Sequence, residues 1–548
     1  VGDEGTNFVG CPKEEFDWSV IENNRVLSHN AQFDETLYLY GVDKGWWKKY
    51  EYAEWVCTAD LAAYSGLPRS LKGATTTLYN LEVDKSTRDN MSGKRWEDMT
   101  KEFQDEVDEY ALKDSELCLK LWQDLEGDWP QMERDISLMN RRCVQRGIPI
   151  NTNLLKKSLV TINERLFEAE NSIPWIDDRP ILSRQAFNDE CKKEGLEPPA
   201  SLALTDEDAN KWIKENEGKY KWISAVRDYR RINSLKRKLE AFEYATMGDK
   251  RYYGGILYHG AHTGRFSGSG GNLNLQNLPR GEMFGVNLRS LISPKKGRKL
   301  VVVDLSQIEV RTLCWLAEDQ DSLDEIKASD DIYEAFAIRF DKWDKSKGVL
   351  KDEDPSLRHL VKTMVLGCGY SVSAGKFALI SGMDEDEAVK AVKLYRTKMK
   401  RVVSLWNNLQ RKLHVAYSLG DDFSIELPSG RSLDYGKIQT AMQFGRRNYI
   451  ALIAKGAKKI PVKLYGGLLT ENASQALARD IFSDILTRLE NRGMEIIFHV
   501  HDEVVIEVDE KDAEETLDLV IEEMRTPPEW LPDIPLDAEG KVLDKYEK

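Results

Sequence analysis

The chain is poor in the features that mark several protein classes. No apolar stretch approaches the roughly 20 residues a membrane-spanning helix needs, so no membrane partner is expected. Cysteine is scarce and unpatterned: Cys11, Cys57, Cys118, Cys143, Cys191, Cys314 and Cys368 are odd in number and form no C-x-x-C pair. Free thiols in a reducing compartment fit that usage, and a cysteine-rich zinc site does not. Internal repeats, low-complexity tracts and a signal-peptide pattern are all missing. The first residue is Val1 and not Met, which suggests a trimmed chain.

What is present is a long, well-cored sequence. Its 548 residues suggest three or four domains. The content is 41% hydrophobic and 31% charged, as in a soluble protein. The net charge of -15 hides an uneven distribution. Arg227 to Lys299 holds 15 Lys/Arg against 5 Asp/Glu, a net of +10; Asp502 to Lys548 holds 17 Asp/Glu against 5 Lys/Arg, a net of -12. A basic middle and an acidic tail suit a protein that grips a polyanion in one groove and repels it elsewhere. Two solvated faces of opposite sign would give the same numbers.

Residues 1 to about 127 mix strand-like and helical runs and end in an acidic helix over Trp96 to Leu125. Trp129 to about Ala245 reads as helical and charged. Thr263 to Arg280 is a long Gly/Asn/Ser loop. A buried strand, Leu300 to Asp304, precedes a long helical region reaching about Ala457, broken at Leu427-Pro428-Ser429-Gly430-Arg431. A helix over Glu471 to Glu490, a hairpin around Asp502, a helix over Lys511 to Met524 and a Pro-rich tail complete the chain.

Chemistry gathers at four places. Asp304 ends an apolar strand, and Asp502-Glu503 occupies a turn between two strand-like runs, where adjacent acids repel unless a cation offsets them. Arg358, Lys362, Leu366 and Tyr370 recur every four residues over a helix from Leu357 to Val372, so they drift by about 40° per step and share one face. That stripe runs from cations to an aromatic, as a nucleoside triphosphate would. In the Gly/Asn loop, Asn274, Gln276 and Asn277, with Arg265, could read minor-groove acceptors. Two acids for divalent metals beside a cationic helix make a phosphoryl-transfer site. Each element also has an ordinary reading: a strand end, a turn, a solvated basic edge, a surface loop.

Together these segments resemble the family A, or polymerase I type, DNA polymerases. Asp304-Leu305-Ser306-Gln307-Ile308-Glu309-Val310-Arg311 is similar to motif A, Arg358 to Tyr370 to motif B, and His501-Asp502-Glu503 to motif C. Thr263-Gly264-Arg265, Asn274 to Pro279 and Gln475 to Asp480 resemble further elements, in order from Met132 to Lys548. The resemblance implies an α+β right-hand architecture: an antiparallel palm sheet with helical fingers and thumb. It divides the chain into thumb 128–258, palm 259–315, fingers 316–460 and palm 461–548.

The implied activity is template-directed addition of dNTPs to a primer 3′ end. Asp304 and Asp502 would bind two Mg²⁺ ions, with Glu503 beside them. Arg358 and Lys362 would neutralise the phosphates, and Lys362 would protonate the departing pyrophosphate. Gln307, Glu309, Tyr333, Leu366 and Tyr370 would surround the nucleotide, Glu309 excluding a ribose. Arg265, Asn274, Gln276, Asn277, Arg280, Gln475 and His501 would hold the DNA. Primer–template DNA and dNTPs are the implied partners, with replication accessory proteins beside them and a monomeric state.

Residues 1–127 resemble the family's 3′–5′ exonuclease domain, a ribonuclease H-like α/β fold. Asp34 matches its second motif, and Tyr110 and Asp114 its third; Asp34 and Asp114 would bind Mg²⁺ or Mn²⁺. The first motif, a strand bearing D-x-E, is missing, since Asp3-Glu4 has neither its spacing nor its strand. An N-terminally shortened chain is therefore expected.

Several positions depart from the family pattern. Leu366 replaces an aromatic, Ser371 a glycine, and Tyr333 the histidine of a D-[IV]-H element. Tyr465-Gly466-Gly467, with the other departures, is more like phage-encoded members, which implies the host cytoplasm. A single-subunit RNA polymerase or an inert primer–template binding factor stand as rival readings.

Overall fold

The computed structural model describes every residue except 1–7, 11, 12, 14, 15, 82–85, 204, 205, 247, 269–272, 444, 456, 457 and 548. Asp3-Glu4 and the segment 269–272 of the Gly/Asn loop therefore lie outside the described residues.

Four antiparallel strands make the palm sheet, in the order Ile496–Val500, Glu503–Asp509, Arg298–Leu305, Ala538–Leu543. Strand Arg298–Leu305 takes an inner place because its apolar run is buried on both faces, which an edge strand would not tolerate. Alternation sorts its side chains. Val301, Val303 and Leu305 join Val504 and Ile506 against Ile481, Phe482 and Ile485 of helix Gly466–Asn491. Leu300 and Val302 join Phe498 and Val505 against Leu288, Leu291 and Leu239 on the other face.

The edge strand Ala538–Leu543 falls in the stretch read from sequence as a Pro-rich tail. It sets Glu539 opposite Asp304. Its pairing partner is more than two hundred residues away, so no local pattern marks it.

Helix Gln131–Arg146, assigned to the thumb by its place in the sequence, sends Ile136, Met139 and Cys143 into the palm core. Its Glu133 receives two hydrogen bonds from Arg479, at 2.5 and 2.9 Å, in full burial. Breaking such a pair from one side leaves an uncompensated charge, at about 3–5 kcal/mol. Beyond it, helices Thr152–Asn171 and Lys221–Ala245 pack together through Ile162, Leu166, Ile232 and Leu235. The smaller helices Arg184–Lys193 and Glu207–Asn216 pack with Trp222 in a cluster of their own.

The helices from Ile308–Leu316 to Glu385–Lys398 share a core that includes Val361, Met364, Phe377 and Tyr395. The expected helical region, broken only at Leu427 to Arg431, does not persist to Ala457. After helix Lys400–Leu419 come five strands between Asp422 and Leu464, in a two-stranded and a three-stranded sheet. Period-two burial explains this: Ala451 and Ile453 are buried while Leu452 between them is exposed. Glycines at 430, 436 and 445, all at positive φ, supply the bends.

At the N-terminal end, strands Arg25–Ser28 and Glu54–Cys57 pair in parallel, flanked by helices Ala31–Asp43 and Lys101–Leu125. This unit is fastened to helix Gln131–Arg146 by Arg141 and Glu35, a buried pair at 3.0 Å. Among the described residues no helix is long and apolar enough to cross a membrane.

Candidate active site

The central strand delivers Asp304 to the end of the palm sheet, and the hairpin delivers Asp502 beside it. The backbone N–H of Leu305 donates to the carbonyl of Asp502 at 3.1 Å, so the two aspartates share one piece of backbone framework. Glu503 pairs directly with Asp304 in register. His501 adopts φ +57° to make the tight turn. The turn is fixed by Gln276, whose amide donates to the His499 carbonyl at 3.1 Å and whose oxygen accepts from the His501 N–H at 3.1 Å.

Gln276 was expected to read DNA. It is 7% exposed and both its polar ends are engaged by this backbone, so the structure makes it a brace for the hairpin. Asn274 in turn accepts from the Gln276 N–H at 2.9 Å. Behind the turn, His499 is buried against Phe266, with the rings 4.4 Å apart; burial pushes its imidazole down to about 3.

A cleft of about 340 Å³ opens in front of these residues, lined by Asn277, Arg280, Arg289, Asp304, Asp502 and Glu503. Asn277 and Arg280 are exposed there and free of the constraints on Gln276. Glu503 is 6% exposed and accepts from the Tyr546 hydroxyl at 2.6 Å. Burial, with the Glu503 charge, raises the Tyr546 phenol well above its ordinary value. Tyr546 carried no sequence signal, because a phenol that caps a buried carboxylate looks like any other tyrosine in a tail.

The cationic stripe lies on helix Pro355–Cys368, capped by Asp354. Arg358 does not stand alone. It is held bidentately by Asp331, at 2.5 and 3.2 Å, and lies over the Tyr333 ring at 5.1 Å. The Asp331 hydrogen bond is the main influence that raises Arg358, and Glu539 of the palm edge strand adds to it. Lys362 is exposed and lies 5.8 Å from the same ring. Tyr333 was expected among the residues around the nucleotide. At 3% exposure it lies beneath the two cations instead, and burial pushes its phenol up to about 12. Leu366 is exposed one turn further on.

Tyr370 falls beyond the helix, which ends at Cys368, four residues before the expected end at Val372. Ser371 then adopts φ +65°, a conformation that favours glycine and so accounts for the residue type expected there. Tyr370 points its hydroxyl at Glu309, 3.4 Å away, and at Ser474, 3.5 Å away. Glu309 is also ion-paired with Arg265. Gln307, exposed at φ +47°, starts the helix that carries Glu309. Gln475, half-buried on helix Gly466–Asn491, donates to Glu471 at 3.2 Å. Burial and the nearby Glu309 charge raise the Glu471 carboxyl.

In the N-terminal unit, Asp34 sits in the first turn of helix Ala31–Asp43, where burial raises its carboxyl. Tyr110 hydrogen-bonds Asp114 one turn away and is pushed up to about 12, chiefly by burial. The charges of Asp34 and Asp114 both act on the buried thiol of Cys118, which burial chiefly raises.

Among the described residues no three His, Cys, Asp or Glu side chains form a closed metal cage. Two aspartates on adjoining backbone at an open cleft fit hard cations that complete an oxygen shell with water and substrate phosphates. That donor set suits Mg²⁺ and offers nothing soft for zinc.

An antiparallel sheet with paired aspartates at one end, between a helical finger layer and a helical thumb, is the fold of a right-hand polymerase. The sequence model of DNA polymerase family A matches residues 184–421. The DNA polymerase of Bacillus phage SP02 is 27% identical over 570 aligned positions, covering 90% of this chain and 86% of the phage protein. The thermostable DNA polymerase I of Thermus filiformis is 24% identical over 80% of the chain. This chain spans about half the length of that relative (51%). A solved POL domain of Pol1 from M. smegmatis, in complex with DNA primer-template and dNTP, superposes with a TM-score of 0.68 over 95% of this chain and 86% of its own, at 19% identity.

Proposed function

We propose that the chain is a DNA-directed DNA polymerase that extends a primer with dNTPs. The observation that carries this reading is the backbone-linked pair Asp304 and Asp502, with Glu309, Tyr370 and the Arg358–Lys362 stripe on the neighbouring elements. Asp304 and Asp502 are the residues that would hold two Mg²⁺ ions, which supply Lewis acidity to the primer hydroxyl and to the triphosphate.

The remaining roles belong to the chain itself. Lys362, exposed and without a carboxylate partner among the described residues, takes up the triphosphate charge and stands ready to protonate the leaving pyrophosphate. Arg358 joins it once a phosphate competes with Asp331. Glu309, held by Arg265 and Tyr370, presents a fixed carboxylate to the sugar and leaves no room for a 2′ hydroxyl. Leu366 supports the nucleotide through aliphatic contact. Asn277, Arg280, Arg289 and His501 line the cleft where the primer terminus and minor groove are held.

The boundaries proposed for thumb, fingers and palm follow these elements, with Gln131–Arg146 serving the palm. Asp34, Tyr110 and Asp114 are proposed as exonuclease residues, with Mg²⁺ or Mn²⁺ as their ion. Replication accessory proteins as partners, a monomeric state and a cytoplasmic site of action belong to the same proposal.

Primer extension with dNTPs and with NTPs tests the reading. Selective dNTP addition that becomes unselective in Glu309→Ala supports it. Equal use of NTPs by the unmodified chain favours an RNA polymerase instead.

A further inference from the structure

From Tyr435 to Thr470 the chain carries seven Lys/Arg and no Asp/Glu, inside a protein of net charge -15. This run contains the antiparallel sheet Gln439–Gln443, Arg446–Lys455 and Lys458–Leu464. One face of the sheet packs inward: Ala451, Ile453 and Leu464 share a core with Leu409 and Leu413 of helix Lys400–Leu419. The sheet's tyrosine goes the same way, with Tyr449 hydrogen-bonded to His414 at 2.6 Å.

The other face is exposed and carries Lys459 beside Ala454 and Lys463 beside Ile450, opposite in facing to Ala451 and Ile453. At the far end, beyond the packed core, Lys455 and Lys458 are direct cross-strand partners on the side of Ala451 and Ile453, and both are exposed. Like charges directly opposite each other destabilise a strand pair. Among the described residues, none of these four exposed lysines is matched by a carboxylate, whereas Lys299 of the palm is held by both Glu510 and Asp544. The arrangement calls for an anion from outside the chain.

We infer that this sheet, through Lys459 and Lys463 on its outer face and Lys455 and Lys458 at its far end, binds the phosphate backbone of the unpaired template strand ahead of the active site, an inference that rests on the polymerase reading above. Three features select this occupant. The strand Lys458–Leu464 extends about 20 Å at ~3.3 Å per residue, long enough to follow several nucleotides. With Tyr449 turned inward, the described residues of the outer face in strands Arg446–Lys455 and Lys458–Leu464 are cationic, amide or aliphatic, which suits holding backbone more than reading sequence. Its base leads to the place where the template must enter. Leu464 runs through Tyr465 into helix Gly466–Asn491, and Gly467 lies so close to Tyr370 that a Cβ there would be 2.4 Å from the Tyr370 carbonyl oxygen. Tyr370 ends the nucleotide stripe on the side of the base, and the base that pairs with it arrives from beyond that point.

Binding of the intact chain to a primer–template with a long 5′ template overhang, and to a blunt-ended duplex of the same sequence, tests this across a salt series. The overhang should add affinity in the unmodified chain. Lys455→Ala/Lys458→Ala/Lys459→Ala/Lys463→Ala should lose about tenfold or more on the overhang substrate at low salt. The slope of log K against log salt should flatten by about 0.7 for each lost phosphate contact, with binding to the blunt duplex unchanged. The corresponding Lys→Gln variant, which keeps part of the aliphatic stems, should show the same loss with a melting temperature no lower than that of the unmodified chain. Equal overhang affinity in variant and unmodified chain overturns the inference, and so does an equal loss on the blunt duplex. If the unmodified chain favours the overhang yet adds no nucleotide, the polymerase reading fails and this surface stands.

Discussion

Gln276 spans the turn that presents Asp502, donating to the His499 carbonyl and accepting from the His501 N–H, each at 3.1 Å. A residue that looks like a DNA contact by its type thus acts as a strut, and its effect on catalysis passes through the hairpin. Gln276→Ala removes both bonds inside a buried site and should cost about 1–3 kcal/mol in stability. It should lower kcat about tenfold or more, because a small displacement of a positioned group is enough, and leave the dNTP KM near its original value. Gln276→Glu keeps the acceptor for His501 and should recover part of kcat. Steady-state kinetics with DNA binding measured in parallel separates this from a DNA contact, which would raise the DNA Kd and spare kcat.

The Arg358–Asp331 pair makes a second prediction. Asp331→Asn keeps the cap on the Tyr333 N–H but weakens the hold on the guanidinium. Arg358 should then meet the triphosphate more readily, lowering the dNTP KM a few-fold, while Arg358→Ala should raise it about tenfold. An increase in KM for Asp331→Asn would show that the carboxylate orients Arg358 and does not restrain it.

Tyr333 discriminates between burial and contact. Tyr333→Phe keeps the ring under Arg358 and Lys362 and should leave the dNTP KM nearly unchanged. Tyr333→Ala opens a cavity at a 3% exposed position and should cost about 3–5 kcal/mol in urea unfolding. A large KM effect in the Phe variant would restore the phosphate contact implied by the family pattern.

These three cases mark where sequence was informative and where it was not. The strand ending in Asp304, the turn at Asp502 and the Arg358–Lys362–Leu366 spacing are local patterns, and local periodicity places them well. The hand-like α+β architecture was implied by the family resemblance that these segments carry. Partner choice did not. Nothing near Arg358 in sequence points to Asp331 or Tyr333 as its neighbours, and nothing near Glu503 points to Tyr546. The strands between Asp422 and Leu464 were read as helix because their apolar residues are sparse, and alternation becomes clear only once one face is covered by helix Lys400–Leu419. The edge strand Ala538–Leu543 owes its existence to a distant partner.

Acid sensitivity follows from histidines buried in the neutral form. Burial is the main cause that lowers His29 and His262 to about 4 and His499 to about 3. Below the ordinary value of 6.5 the unfolded chain takes up protons that the folded chain refuses, so stability falls as pH drops from about 6.5 toward 4. Each such group contributes a slope of up to about 1.4 kcal/mol per pH unit in that window. Urea unfolding at pH 7 and pH 5 should show the loss. His499→Gln should make the dependence shallower, and an unchanged slope would mean that His499 is protonated in the fold.

The most direct measurement is single-nucleotide primer extension with Mg²⁺ by the unmodified chain and by Asp304→Ala. Extension with dNTPs is expected, falling about a thousandfold or more in the variant as several kcal/mol of transition-state stabilisation are lost, with primer–template affinity retained. Extension that survives Asp304→Ala at the original rate, or none from the unmodified chain, contradicts the account.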